Sequence, residues 1–176
     1  MYKEIRLTGS GGQGLMLAGI ILAEAALLDG KYAIQYQSYG PEARGGSSRS
    51  EIIISDYTID FIKVQNCDLL LCLTQEAYNN YGKEHNSLLI LDERLSPKFH
   101  EPENIIKIPI YDTAVQKFGK PMGANIVALG AINGLLNLVT RESLLEAVFD
   151  RVPKGTKDIN LQALEAGYAS ILKSSC

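Results

Sequence analysis

Gly9-Ser10-Gly11-Gly12-Gln13-Gly14 decides the fold of this chain. It stands directly after Glu4 to Thr8, an apolar-alternating run that reads as a strand, and directly before Gly14 to Leu28, good helix formers with hardly any polar face. G-x-G-x-x-G between a strand and a helix is the context that gives the pattern meaning. Glycines there permit φ > 0 and close approach of a ligand, while free N–H groups at the helix start attract an anionic group. The same residues also suit a tight turn that holds no ligand. A dinucleotide site would further need an Asp or Glu at the end of the second strand to hold a ribose hydroxyl. That strand, Tyr32 to Gln37, runs into Ser38, and the nearest acid, Glu42, lies beyond Pro41. Ordinary NAD binding is therefore disfavoured.

Outward from this motif the elements alternate, as in one α/β unit whose helices cover a mostly parallel sheet. Asp29-Gly30 closes the first helix. Arg49 to Ser55, built on Ile52-Ile53-Ile54, reads as a third strand. Leu69 to Thr74 and Leu88 to Leu91 are uninterrupted apolar runs, as expected of central parallel strands buried on both faces. Gln75 to Tyr81 is a short helix between them, and Ile105 to Ile110 is a further strand, bounded by Pro102 and Pro109. Beyond Tyr111 the chain reads as helical, over Thr113 to Phe118, Gly123 to Val139, Glu142 to Phe149 and Asn160 to Lys173. The expected fold is a single Rossmann-like α/β domain over residues 1–176 with a helical C-terminal third. Small residues at Gly123, Ala124, Gly130, Ala131 and Gly134 permit close packing of another helix or backbone, and the first helix is poorly amphipathic and should be covered on two sides.

Composition narrows the function. The chain has 176 residues and 46% hydrophobic residues, enough for a full core. Its net charge of −3 leaves no positive excess for a nucleic-acid backbone. The 3 cysteines, Cys67, Cys72 and Cys176, form no C-x-x-C pair, which argues against a disulfide framework, structural zinc or an iron–sulfur cluster and fits a reducing, cytoplasmic setting. No signal peptide is read at the N-terminus. Met122 to Val139 is broken by Asn125, Asn133 and Asn137, and Leu15 to Leu28 carries Glu24, so neither is expected to span a membrane.

A second loop, Ser38-Tyr39-Gly40-Pro41-Glu42-Ala43-Arg44-Gly45-Gly46-Ser47-Ser48-Arg49, follows the second strand and should emerge at the same sheet edge as the first. Arg44 and Arg49 offer guanidinium forks for phosphate or carboxylate, and Glu42 can pair with either. No catalytic constellation is expected: His85 and His100 lie in polar stretches, and no serine stands in a G-x-S-x-G elbow. No metal site is expected either, since adjacent pairs such as Asp92 and Glu93 point apart.

Taken together, the two loops resemble those of the gamma subunit of 2-oxoacid:ferredoxin oxidoreductases. The resemblance continues in order through Ser50-Glu51, Asp68-Leu-Leu-Leu, Thr74-Gln-Glu-Ala-Tyr78 and Met122-Gly-Ala-Asn-Ile-Val-Ala-Leu-Gly130. It implies a non-catalytic subunit of a complex that decarboxylates a 2-oxoacid, passes electrons to ferredoxin and releases an acyl-CoA, with the small-residue helix and the poorly amphipathic first helix packed against sister chains. Thiamine diphosphate and the iron–sulfur clusters would reside in partner alpha and beta subunits, with a ferredoxin-like delta subunit as a further candidate partner. The Tyr-Gly-Pro-Glu-Ala-Arg-Gly-Gly form resembles 2-oxoglutarate-type chains more than pyruvate-type ones. The resemblance also implies a coenzyme A site, carried over to Gly9, Gly11, Gly12, Gln13, Gly14, Tyr39, Glu42, Arg44 and Asn125. A stand-alone nucleotide- or coenzyme-binding module is the competing expectation.

Overall fold

The computed structural model describes residues 1–39, 47–83, 87–98 and 104–174. The first strand, β1 (Tyr2–Ser10), separates two faces by its alternation. Ile5 and Leu7 belong to the larger core with helix α1 (Leu15–Leu28), whereas Glu4, Arg6 and Thr8 occupy the alternate positions. The remaining strands are β2 (Tyr32–Tyr39), β3 (Ser47–Ser55), β4 (Leu69–Cys72), β5 (Leu88–Asp92) and β6 (Ile105–Ile108), in the order β2-β3-β1-β4-β5-β6. β1, β4, β5 and β6 pair in parallel, and β3 runs antiparallel between β1 and β2. The single α/β domain is thus as expected, but with a reversed strand wedged beside β1.

That strand corrects one reading. The segment from Ser38 to Ser48, expected as loop throughout, contributes to both strands: β2 continues through Tyr39 and β3 begins at Ser47. Tyr39 registers with Ser48, and Ser10 with Ser47. Tyr39 is therefore the end of a strand rather than a loop residue.

β4 and β5 carry Leu69, Leu70, Leu71, Leu89, Ile90 and Leu91, all buried. Their burial on both faces supplies roughly 1.5–3 kcal/mol per side chain, which explains why strands of 4 and 5 residues hold the centre of the sheet. On the second face, helix α2 (Gln75–Tyr81) packs Tyr78 against Leu70, Cys72, Leu89 and Leu91. A buried ion pair crosses that face: Arg6 Nε donates to Glu51 Oε1 at 2.9 Å. Glu4 Oε2 accepts the backbone N–H groups of Gln65 and Asn66, tying down the segment that follows β3.

The C-terminal helices are α3 (Ile110–Phe118), α4 (Ala124–Leu136), α5 (Arg141–Arg151) and α6 (Lys157–Ser174). The small residues of α4 do not await another chain. A Cβ built on Gly130 falls 2.1 Å from the Leu164 carbonyl oxygen of α6, and one on Gly167 falls 2.0 Å from the Val127 carbonyl oxygen of α4. The two helices meet backbone to backbone inside this chain. Helix α1 is covered by its own chain on the sides facing β2, β3, α4 and α5, while Met16, Leu27 and Leu28 remain exposed. The expectation of packing against sister chains is thus corrected for the small-residue face of α4, which α6 fills: apolar faces with small residues are equally the signature of intrachain packing.

Asp29 joins the end of α1 to the start of α5. Its carboxylate accepts the Thr140 N–H at 2.6 Å, the Thr140 hydroxyl at 2.7 Å and the Ser143 hydroxyl at 2.5 Å. Burial pushes this carboxyl up, but the hydrogen bonds from Ser143 and Thr140 more than offset that and hold it below its ordinary value. A folded value below the unfolded one means that the unfolded chain takes up more protons as pH falls. The contribution is present above about pH 4 and lost as pH drops through the folded value. Asp29→Ala should lower stability by about 1–2 kcal/mol at neutral pH. Urea unfolding of both proteins should show this gap closing on acidification; a gap independent of pH would contradict the assignment.

Candidate functional site

Successive helices leave the sheet in opposite directions at its centre. After β1 the chain crosses to the Ile5 and Leu7 face as α1, and after β4 it crosses to the other face as α2. The carboxyl ends of β1 and β4 therefore bound the crevice in which open α/β sheets bind ligands. The glycine loop forms one wall of it.

Gly12 and Gly14 adopt φ values of 84° and 74°, in the left-handed region that favours glycine. Gln13 folds back over the loop, its Oε1 accepting the Ser10 N–H at 2.7 Å. A Cβ on Gly9 would lie 2.2 Å from that oxygen, so Gly9 is small to admit the clamp. By contrast, nothing lies within 4 Å of a Cβ built on Gly11 or Gly12, and both are exposed. The loop thus has a packed inner side and an open outer side.

Helix α1 starts without a side-chain cap and without an acid in its first turn. The partial positive charge of its N-terminus is uncompensated. Helix α4 starts in the same way, after Gly123. The two starts meet: Asn125 is buried and donates through Nδ2 to the Gly14 carbonyl oxygen at 3.2 Å, where a Cβ on Gly14 would collide with its amide. Helix α2 differs, since Thr74 Oγ1 caps the Ala77 N–H at 3.2 Å and Glu76 stands in the first turn. An anion entering the crevice is favoured on the α1 and α4 side.

The sequence-derived residues fall as follows. Gly9, Gly11, Gly12, Gln13, Gly14 and Asn125 come together at this wall. Tyr39 reaches the same sheet edge through its register with Ser48, one residue from the partner of Ser10. Glu42 and Arg44 lie outside the described residues, as do His85, His100 and Cys176. Arg49 registers with Thr8, sits 3.9 Å from Glu51 Oε1 and 5.9 Å from the Tyr81 ring centre. A NAD-type acid has no place here for a second reason: β3 separates β2 from β1, so the end of β2 is not beside the glycine loop.

One cation escaped the sequence reading. Asp92, at the carboxyl end of β5, is buried; its Oδ1 accepts Arg94 Nε at 2.5 Å and its Oδ2 accepts the Tyr111 N–H at 2.8 Å. The Arg94 guanidinium lies 3.6 Å from the Tyr111 ring centre. Its only sequence signal was an arginine two residues past a strand-ending acid. Two cavities open elsewhere, one of about 520 Å³ between α1 and α5 and one of about 380 Å³ between α3 and α6, and the lining of neither includes the glycine loop. Among the described residues no group of three or more His, Cys, Asp or Glu could hold a metal, and no helix is long and apolar enough to cross a membrane.

This α/β domain thus presents, at its switch point, a glycine loop joined to two uncapped helix starts. The chain belongs to the pyruvate ferredoxin/flavodoxin oxidoreductase family, whose model matches residues 4–170. It is 49% identical to the 2-oxoglutarate synthase subunit KorC of Methanocaldococcus jannaschii, over 96% of this chain and 93% of that one. The keto/oxoacid ferredoxin oxidoreductase gamma subunit of Geobacter sulfurreducens, solved as a crystal structure, is 43% identical and superposes with a TM-score of 0.83, covering 97% of this chain and 99% of that one. The pyruvate synthase subunit PorC of Methanothermobacter marburgensis is 30% identical over 97% of this chain and 98% of that one.

Proposed function

We propose that this chain is the gamma subunit of a 2-oxoglutarate:ferredoxin oxidoreductase, and that it takes no part in bond making. The observation that carries the reading is end-to-end correspondence with the KorC and gamma-subunit relatives, which are whole subunits of about its own length, whereas the ketoisovalerate oxidoreductase subunit VorA of Methanothermobacter marburgensis is matched over only 36% of its length. The higher identity to a 2-oxoglutarate synthase subunit than to a pyruvate synthase subunit, 49% against 30%, favours 2-oxoglutarate. The complex would convert 2-oxoglutarate, coenzyme A and two oxidised ferredoxins to succinyl-CoA, carbon dioxide and two reduced ferredoxins. Thiamine diphosphate and iron–sulfur clusters would be carried by alpha and beta subunits, with a ferredoxin-like delta chain as a further partner, in the cytoplasm.

Coenzyme A fits the crevice. Its phosphates need N–H donors and positive potential, and the open side of Gly11 and Gly12 beside two uncapped helix starts offers both. In this reading Gly9, Gln13, Gly14 and Asn125 hold the cradle in shape, and Tyr39, Glu42 and Arg44 are further residues assigned to the ligand. The test is a complex assembled from the alpha, beta and gamma chains, assayed for coenzyme-A-dependent viologen reduction. The expected result is a kcat/KM for 2-oxoglutarate about tenfold or more above that for pyruvate, a preference of roughly 1.4 kcal/mol. Equal use of both acids, or full activity without this chain, would overturn it.

A further inference from the structure

We propose that the outer edge of β2 is a self-pairing surface, through which two copies of this chain join their sheets antiparallel about a two-fold axis at Ile34. The two edges of the sheet are built differently. β6 is 4 residues long and carries the exposed Lys107, a charge that discourages pairing. β2 is 8 residues long, and Tyr32-Ala33-Ile34-Gln35-Tyr36-Gln37-Ser38-Tyr39 contains no charge, proline or glycine. As the terminal strand of the sheet, it presents an outer row of backbone N–H and C=O groups with none of these protections.

Exposed apolar side chains accompany this edge. Tyr32 is 50% exposed on β2 itself, and Phe61 and Ile62 are 62% and 59% exposed. Lys63 Nζ lies 5.8 Å from the Tyr36 ring centre, which sets the Phe61-Ile62-Lys63 run beside the same strand. On the opposite face Gln35 is already engaged, donating to Ser50 Oγ beneath α1.

The occupant follows from symmetry. Tyr32, Ile34 and Tyr36 read the same in both directions about Ile34 and share one face by alternation, with Ala33 and Gln35 as the unlike pair on the other face. Antiparallel pairing of two copies sets Ile34 opposite itself and Tyr32 opposite Tyr36 of the second copy, giving aromatic cross-strand pairs on either side of an aliphatic one. A two-fold interface requires such self-complementarity, and an unrelated partner strand does not. None of this depends on which ligand the crevice holds.

The test is sedimentation velocity on the full chain, combined with three single variants. The unsubstituted chain should be a dimer, and Ile34→Lys should weaken it about tenfold or more by setting two like charges face to face. Under mild oxidation Ile34→Cys should give a covalent dimer, while Leu28→Cys, at a more exposed position on α1, should not. If Ile34→Lys fails to fold, the cysteine pair decides. A chain that stays monomeric, a dimer indifferent to both Ile34 variants, or an Ile34→Cys link to a sister subunit in the assembled complex would overturn the proposal.

Discussion

Gly167→Ala should destabilise this chain by roughly 3 kcal/mol, although it adds only one methyl group. The new Cβ would lie 2.0 Å from the Val127 carbonyl oxygen and 2.9 Å from the Ala131 nitrogen, both backbone atoms of α4. No rotamer change relieves such a contact, because the neighbours are not side chains. The helices must part, and parting them opens the packing of Val127, Ala131 and Leu164, all buried. Ordinary helix propensity works the other way, favouring Ala over Gly by up to about 1 kcal/mol, so the sign of the change separates the two effects. For a chain of this size the midpoint should fall by roughly 6–12 °C in a thermal scan. A variant as stable as the unsubstituted protein would mean that α4 and α6 do not approach this closely.

Gly11→Asp should raise the KM of the assembled complex for coenzyme A about tenfold or more, with little change in its rate at saturation. Gly11 has no positive φ and faces open space, so aspartate folds there without strain. Its carboxylate would then occupy the side of the loop nearest the uncompensated start of α1, stabilising the helix slightly while opposing an incoming phosphate. Gly11→Asn, of nearly the same size but neutral, should change KM far less. Arg44→Ala should also raise it, through loss of a cation. If Gly11→Asp and Gly11→Asn behave alike, charge does not govern binding at this loop and the coenzyme A reading fails.

The parts of the fold legible in the sequence were those fixed by local chemistry. Leu69 to Thr74 and Leu88 to Leu91 read as central strands because burial on both faces removes the polar alternation. Asp29-Gly30 and Thr140 marked helix limits, and Gly9 to Gly14 marked the crevice, because each needs a particular residue at a particular backbone geometry. Strand direction was not legible. Arg49 to Ser55 alternates identically whether it runs parallel or antiparallel to its neighbours, and its pairing with β1 joins residues up to 53 apart, as Tyr2 with Ser55.

The site was legible in part for a similar reason. Gln13 and Asn125 were picked out as ligand residues, and the structure shows each bonded to the loop itself, to the Ser10 N–H and the Gly14 carbonyl. A side chain that shapes a cradle and one that touches its contents have the same sequence signal. Arg94 was missed because its orientation depends on Asp92 and Tyr111, and Tyr111 lies 17 residues beyond it at the start of α3. The small-residue face of α4 was recognised, yet its mate was sought in another chain. Gly167, midway along α6, was the overlooked sign that the mate lies in the same one.

The account rests on this chain working as one subunit of an oxoacid oxidoreductase. The most direct measurement is mild affinity capture of the chain from its native cells, with mass spectrometry of the recovered proteins and assay of the eluate with 2-oxoacids, coenzyme A and a viologen. The account predicts alpha and beta subunits in the eluate and viologen reduction that needs coenzyme A and prefers 2-oxoglutarate. Recovery of the chain without those subunits, in an eluate that reduces no viologen, would contradict it.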